Sequence, residues 1–203
     1  MVTTWILDNG HGGMLGARYY QTAGKRSPVV EPGLGVFEGE FNRDVVKRVL
    51  GLCQRRGVHA IDLVPGAENA SLKERKRRVR ELMATFGKSK LISVHANAFG
   101  SGGWNNTKGS RIFTRKPDGS KWYDESLLLA RNLKSEMIFR GLSDPKIKAA
   151  NFAILSCALP SILFEAAFMT NEKEAALLAD DSFRQSNADT LFNLIAEYTR
   201  GAE

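Results

Sequence analysis

The chain has 203 residues, 43% of them hydrophobic and 25% charged, which suits one soluble globular domain long enough to bury a sizeable core. No stretch approaches the roughly 20 apolar residues of a membrane span, and two cysteines are too few for a disulfide framework. A formal net charge of +7 draws the protein to polyanions, but nucleic acid, anionic membrane and bacterial envelope polymers all qualify.

At the N-terminus Met1 runs into Val2-Thr3-Thr4-Trp5, with neither a basic leader nor a cleavable apolar segment. The expected place of synthesis is the cytoplasm, with any exit by a route outside this sequence. Residues 4–8, TWILD, read as a short buried strand, and Asn9-Gly10-His11-Gly12-Gly13 follow as a turn-forming loop. Residues 17–37 are irregular and punctuated by Gly and Pro, a long loop of the kind that is usually functional or disordered. From Glu40 the pattern becomes helical: Phe41, Val45, Val49 and Leu52 recur at three- and four-residue steps until Gly57. Cys53 falls in this helix, where it reads as a small buried hydrophobe.

Residues 58–64 form a second strand. Residues 71–87 form a helix opened by Ser71 and Glu74 at capping-box spacing, with Leu72, Val79, Leu82, Met83 and Phe86 on one face and the basic residues on the other. Residues 90–96 are a strand, 99–109 a Gly/Asn-rich loop, 110–115 a strand and 124–140 an amphipathic helix. NFAIL (151–155) and SILFEAA (161–167) read as two more strands, and 172–199 as two helices broken near Asp180-Asp181. Alternating strands and helices predict one α/β domain over residues 1–203, with a twisted, largely parallel or mixed sheet flanked by helices.

Three apolar runs end alike. WILD leads into His11, LISV into His95, and SILF into Glu165. In α/β sheets sites gather at the carboxyl ends of strands, so these residues are expected to share one edge. Glu38, at the start of the first helix, is a fourth candidate favoured there by the helix dipole, and Glu40 is its rival. Two imidazoles and a carboxylate make a catalytic zinc set that leaves a position for water, and a second carboxylate can take and return the proton. Glu165 stands in an apolar stretch, where an unpartnered carboxylate is costly; this favours a role for it. The glycines around His11 are not a phosphate loop, since no GK[ST] follows. The third histidine, His59, sits at an ordinary strand start and is assigned nothing.

Four segments, taken in order, resemble the zinc-dependent N-acetylmuramoyl-L-alanine amidases of the amidase-3 family. They are Asp8-Asn9-Gly10-His11-Gly12-Gly13, Glu38 with Asn42, Ser93 through Ala98, and Pro160, Leu163, Glu165, Phe168 and Asn171. The resemblance covers nearly the whole chain. It implies His11, Glu38 and His95 as Zn2+ ligands and Glu165 as the catalytic carboxylate. Asn97 is read separately, as a residue that orients substrate or a ligand or else serves as a structural cap. The chain departs from the family pattern in Asn9, which replaces the usual proline, in a longer 17–37 loop and in a distinctive 99–109 loop. The implied reaction is hydrolysis of the amide between N-acetylmuramic acid and L-alanine in peptidoglycan. With no leader evident, the expectation is a monomeric phage or prophage endolysin, made in the cytoplasm, released at lysis and drawn to anionic envelope polymers. The alternatives are a zinc peptidase acting within the stem peptide and a non-catalytic wall-binding module. Nucleic-acid binding through residues 73–80 is not expected, because such a run on an amphipathic helix is usually a solvated face.

Overall fold

The computed structural model describes residues 2–15, 18–19, 25–30 and 34–200. The expected loop over 17–37 is thus only partly described: residues 17, 20–24 and 31–33 lie outside. In chain order the elements are β1 (Thr4–Asn9), β2 (Met14–Leu15), β3 (Arg18–Tyr19), α1 (Glu38–Arg55), β4 (Ala60–Asp62), α2 (Leu72–Phe86) and β5 (Ser89–Asn97). They continue with β6 (Arg111–Thr114), α3 (Lys121–Phe139), β7 (Lys146–Ala149), a 3-10 turn (Ala153–Ser156), β8 (Ser161–Phe168), α4 (Glu172–Ala179) and α5 (Asp181–Arg200).

Six strands form one sheet in the order β4-β1-β5-β8-β6-β7. β4, β1, β5 and β8 run parallel, β6 is antiparallel to β8, and β7 is parallel to β6. β2 and β3 pair separately as a short antiparallel ribbon. Among the described residues this is one α/β domain with a mostly parallel mixed sheet, as expected. None of its helices is long and apolar enough to cross a membrane.

Both faces of the sheet are covered, so the central strands read as continuous apolar runs. Alternation along each strand divides the core. Trp5, Leu7, Ile92, Val94, Ile162 and Phe164 face α1, α3 and α5. Ile6, Leu91 and Leu163 face α2 and the 3-10 turn, packing with Val64, Val79 and Ile154. The same parity puts Asp8, Ser93, His95 and Glu165 on the α2 side, each an even number of residues from an apolar neighbour on that side. Strand register then decides which of them meet. Asp8 pairs with Ser93 across β1 and β5, and His95 with Glu165 across β5 and β8.

The structure corrects several boundaries. α1 begins at Glu38, two residues earlier than the apolar pattern indicates. NFAIL is not a strand. Ala153–Ser156 is a 3-10 turn that buries Ile154 and Leu155 in the smaller core, while Phe152 meets Phe113 edge-on at 5.0 Å. The sixth strand is instead β7, KIKA. It is an edge strand whose lysines stand in solvent, which blunts the edge against further pairing. The capping box is half right. Ser71 accepts from the Glu74 N–H at 3.2 Å, whereas the Glu74 carboxylate turns to Arg77 and Arg78. Cys53 is buried as expected, and burial pushes its thiol up to about 11. His59 shares a 3.0 Å hydrogen bond with Thr4 Oγ1 and sets its ring edge on Phe86, which is structural duty.

Candidate metal centre and catalytic cleft

Four of the sequence-derived site residues meet at the carboxyl ends of β1, β5 and β8. His11 lies just past β1 with φ 64°, the one non-glycine positive φ among the described residues. Backbone held there costs about 1–3 kcal/mol and persists only where neighbours enforce it. Two guanidinium groups do so by donating to the His11 carbonyl oxygen, Arg43 Nη1 at 2.9 Å and Arg75 Nη2 at 3.0 Å. Asn42 fixes the preceding residue, its Nδ2 donating to the Gly10 carbonyl at 2.9 Å. Gly10 is required for space, because a Cβ there would stand 2.1 Å from Cε1 of the His95 ring. Asn9, where the family has proline, ties the loop down by another means. Its Nδ2 donates to Asp62 Oδ1 at 2.8 Å and to the Val64 carbonyl at 3.0 Å.

Glu38 opens α1, where the dipole favours a carboxylate. Its Oε1 lies 2.8 Å from His95 Nδ1 and 3.2 Å from His11 Nε2. The two imidazoles stand nearly perpendicular, at 87°, with ring centroids 5.2 Å apart. Glu40 is not part of this group; its carboxylate lies over Gly13. Although burial alone would raise the Glu38 carboxyl, hydrogen bonds from His11 and His95 bring it down to about 2. Burial depresses the His95 imidazole, but the bond to Glu38 outweighs this, so its pKa stands above the ordinary value.

Glu165 projects from β8 beside His95 into the cleft, half-buried as a residue but with its Oε2 fully buried. Burial is the main cause of its carboxyl rising to about 7; the neighbouring Glu38 charge adds to the rise, and His95 and Lys25 oppose it. Asn97, at the end of β5, lines the same cleft but spends its Oδ1 on the Ala98 N–H at 2.9 Å. That contact leaves Nδ2 as the Asn97 atom available to a ligand. The cleft has a volume of about 620 Å³, and its walls include Lys25, Leu72, Phe152 and Ile154.

One nitrogen from each of His11 and His95 and one oxygen of Glu38 lie within 4.8 Å of one another. Ligand atoms about 2 Å from a tetrahedral Zn2+ are about 3.3 Å apart, so the 2.8 and 3.2 Å separations already approach that spacing. Glu38 Oε2 and Glu165 Oε2 are buried with no hydrogen-bond partner among the described residues. Buried carboxylate oxygens are rarely left in that state, and a cation and its water would satisfy both. The residues fit zinc.

The residue missed by sequence is Arg75. The basic run of α2 reads as solvated, yet Arg75 is 3% exposed and reaches under the β1–His11 loop. Arg75 lies four residues before Val79, squarely on the buried stripe with Leu82 and Met83, and that spacing was the available signal. The rest of the run is partly self-neutralised, with Arg77 and Arg78 both held by Glu74.

Two imidazoles and two carboxylates gathered at the carboxyl edge of an α/β sheet, with Glu38 brought in by α1, form a hydrolase-type cleft whose donors could hold a metal ion. Residues 6–197 match the family described as N-acetylmuramoyl-L-alanine amidase (Amidase_3), and the chain belongs to it. It is 28% identical over 171 residues to the N-acetylmuramoyl-L-alanine amidase LytC of Bacillus subtilis, covering 83% of this chain and 32% of LytC. The chain thus spans about a third of that relative's length. It is 25% identical over 197 residues to the uncharacterized protein YqiI of Bacillus subtilis, covering 96% of this chain and 84% of YqiI. Its fold matches that of the crystal structure of an N-acetylmuramoyl-L-alanine amidase from Clostridium difficile 630 with a TM-score of 0.79 at 21% identity, covering 100% and 99% of the two chains.

Proposed function

We propose that this protein is a zinc-dependent hydrolase that cleaves the amide joining the lactyl group of N-acetylmuramic acid to L-alanine in peptidoglycan. The observation that carries this reading is the convergence of His11, Glu38 and His95 with Glu165 beside them in one cleft. Family membership supports the choice of bond. His11 Nε2, His95 Nδ1 and Glu38 would hold zinc, which would supply a water of pKa about 7 and Lewis-acid polarisation of the scissile carbonyl. Glu165 takes the proton from the attacking water and then delivers it to the departing amine nitrogen of L-alanine. Burial raises this carboxyl to about 7 in the metal-free protein, and a cation beside it would lower it, leaving the ionised base that the first transfer needs at neutral pH. Asn97 Nδ2 is available to bind substrate, and Leu72, Phe152 and Ile154 offer apolar wall for it to cover.

Purified muropeptides incubated with the zinc-loaded protein should yield free sugar and intact stem peptide by mass spectrometry, and no product after chelation. A shortened stem would identify a peptidase instead. Intact muropeptide bound without turnover would identify a wall-binding module.

We also propose that the protein acts as a phage-type lysin, reaching the wall after synthesis in the cytoplasm. Its net charge of +7 supports adsorption to anionic envelope polymers. Added to permeabilised or Gram-positive cells, it should clear turbidity fastest at low ionic strength. Raising salt from about 0.05 to 0.5 M should slow clearing severalfold by screening, with hydrolysis of soluble muropeptides nearly unaffected.

A further inference from the structure

Behind the metal centre lies a buried polar chain that the reaction itself does not use. His95 Nε2, the ring nitrogen turned away from Glu38, is 3.1 Å from Ser93 Oγ. Ser93 Oγ donates to Asp8 Oδ2 at 2.5 Å, and Asp8 Oδ1 is ion-paired with Arg75 Nη1. Arg75 continues outward with Nη1 to the Asn9 carbonyl, Nη2 to the His11 carbonyl and Nε to the Ala70 carbonyl, each at 3.0 Å. Asp8, Arg75 and Ser93 are all 3% exposed or less.

We infer that Arg75 is a positioning residue for both histidines of the metal centre, acting on His95 through Asp8 and Ser93 and on His11 through its main chain. The inference rests on the zinc reading above. Ser93 has one hydroxyl proton, and the structure commits it to Asp8. Toward His95, Ser93 Oγ can therefore only accept, so Nε2 must carry the ring proton. In the metal-free protein the ring also carries a proton on Nδ1, donated to Glu38 at 2.8 Å; when that proton gives way to a metal ion, the Nε2–H tautomer is the one that leaves the Nδ1 lone pair for the cation. Outer partners of this kind fix ring orientation and raise ligand basicity. The second arm is mechanical. His11 keeps its left-handed backbone because its carbonyl is gripped from two sides, and Arg75 supplies one grip. A planar fork serves Asp8, Asn9 and His11 at once, which the compact ammonium of lysine cannot reproduce.

The test compares wild type with Ser93→Ala, Ser93→Thr and Arg75→Lys. Zinc affinity is read by competition with a chromophoric chelator, and the proton on His95 by long-range 1H–15N spectra of the zinc-loaded proteins. Ser93→Ala should weaken zinc binding about 10- to 100-fold, and Ser93→Thr, which keeps the hydroxyl, should restore it. Arg75→Lys should weaken zinc at least as much as Ser93→Ala, because it loosens both imidazoles. The wild-type spectrum should show Nε2 protonated, and Ser93→Ala should lose the slow exchange of that proton. Cooperative thermal unfolding of every variant separates these effects from misfolding. Zinc bound by Ser93→Ala and Arg75→Lys as tightly as by wild type would overturn the positioning role alone. A wild-type protein that binds no zinc would overturn the zinc reading, and this inference with it.

Discussion

Replacing Glu165 with glutamine is expected to lower kcat about 10²- to 10⁴-fold, the usual range for a lost general acid–base, with zinc affinity nearly unchanged. The same substitution should stabilise the metal-free protein. Glu165 is half-buried and its carboxyl is raised from 4.5 to about 7, chiefly by burial. Between those values the folded state binds more protons than the unfolded state, so the contribution of this group to stability falls as pH rises and is fully lost above about 7. A shift of that size corresponds to about 3 kcal/mol. Glutamine has no charge to desolvate. Glu165→Gln should therefore unfold at a higher temperature than wild type at pH 8 and lose most of that advantage at pH 4, a difference readable by calorimetry in the presence of chelator. In the zinc-loaded enzyme the cation favours the ionised carboxylate, so the rising limb of kcat/KM should lie below pH 7 and vanish in the variant. Equal turnover by wild type and Glu165→Gln would remove Glu165 from the mechanism. Unchanged stability at pH 8 would remove the desolvation argument.

Such a carboxylate, kept at a cost to the fold, is also why the site was visible in sequence. Glu165 stands out because Ile162 to Phe164 and Ala166-Ala167 on either side are apolar, His95 because it directly follows LISV, and His11 because it stands in the Asn-Gly turn that ends the first apolar run. Strand ends can be found from hydropathy, and in an α/β sheet they are where ligands collect. The pairing of those ends could not be read the same way. That Asp8 lies opposite Ser93, and His95 opposite Glu165, depends on strand order and register, which are long-range properties. Glu38 and Glu40 form an intermediate case. They are two residues apart on a helix and so point in nearly opposite directions. The buried stripe Phe41, Asn42, Val45, Val49, extended backwards, runs through Glu38 at three- and four-residue steps and bypasses Glu40. Composition hid two further features. Arg75 is masked by five other basic residues in its helix, and the edge strand KIKA turns only Ile147 toward the core, too little apolar content to signal a strand.

Glu38→Gln is the second substitution with a large expected effect, and it separates ligation from proton transfer. Glu38 Oε1 is shared between His11 and His95, and its carboxyl is held at about 2 because those bonds outweigh burial. In the metal-free protein this depressed group contributes stability that is present above about 4.5 and is lost as pH falls toward 2. Glutamine keeps the volume and removes the charge. Zinc affinity should fall by more than the 100-fold upper range for outer-sphere partners, since a ligand rather than its support is lost. The His95 imidazole supplies an independent readout. Burial depresses its pKa, and Glu38 raises it above the ordinary value. Without the carboxylate, burial prevails, so the His95 ring-proton titration followed by NMR in chelator should move to lower pH in Glu38→Gln. Glu165 should move down as well, because the Glu38 charge helps to hold it up. A His95 midpoint that stays in place would mean that Glu38 does not set the charge of this imidazole, and the three-residue centre would then lose its electrostatic basis.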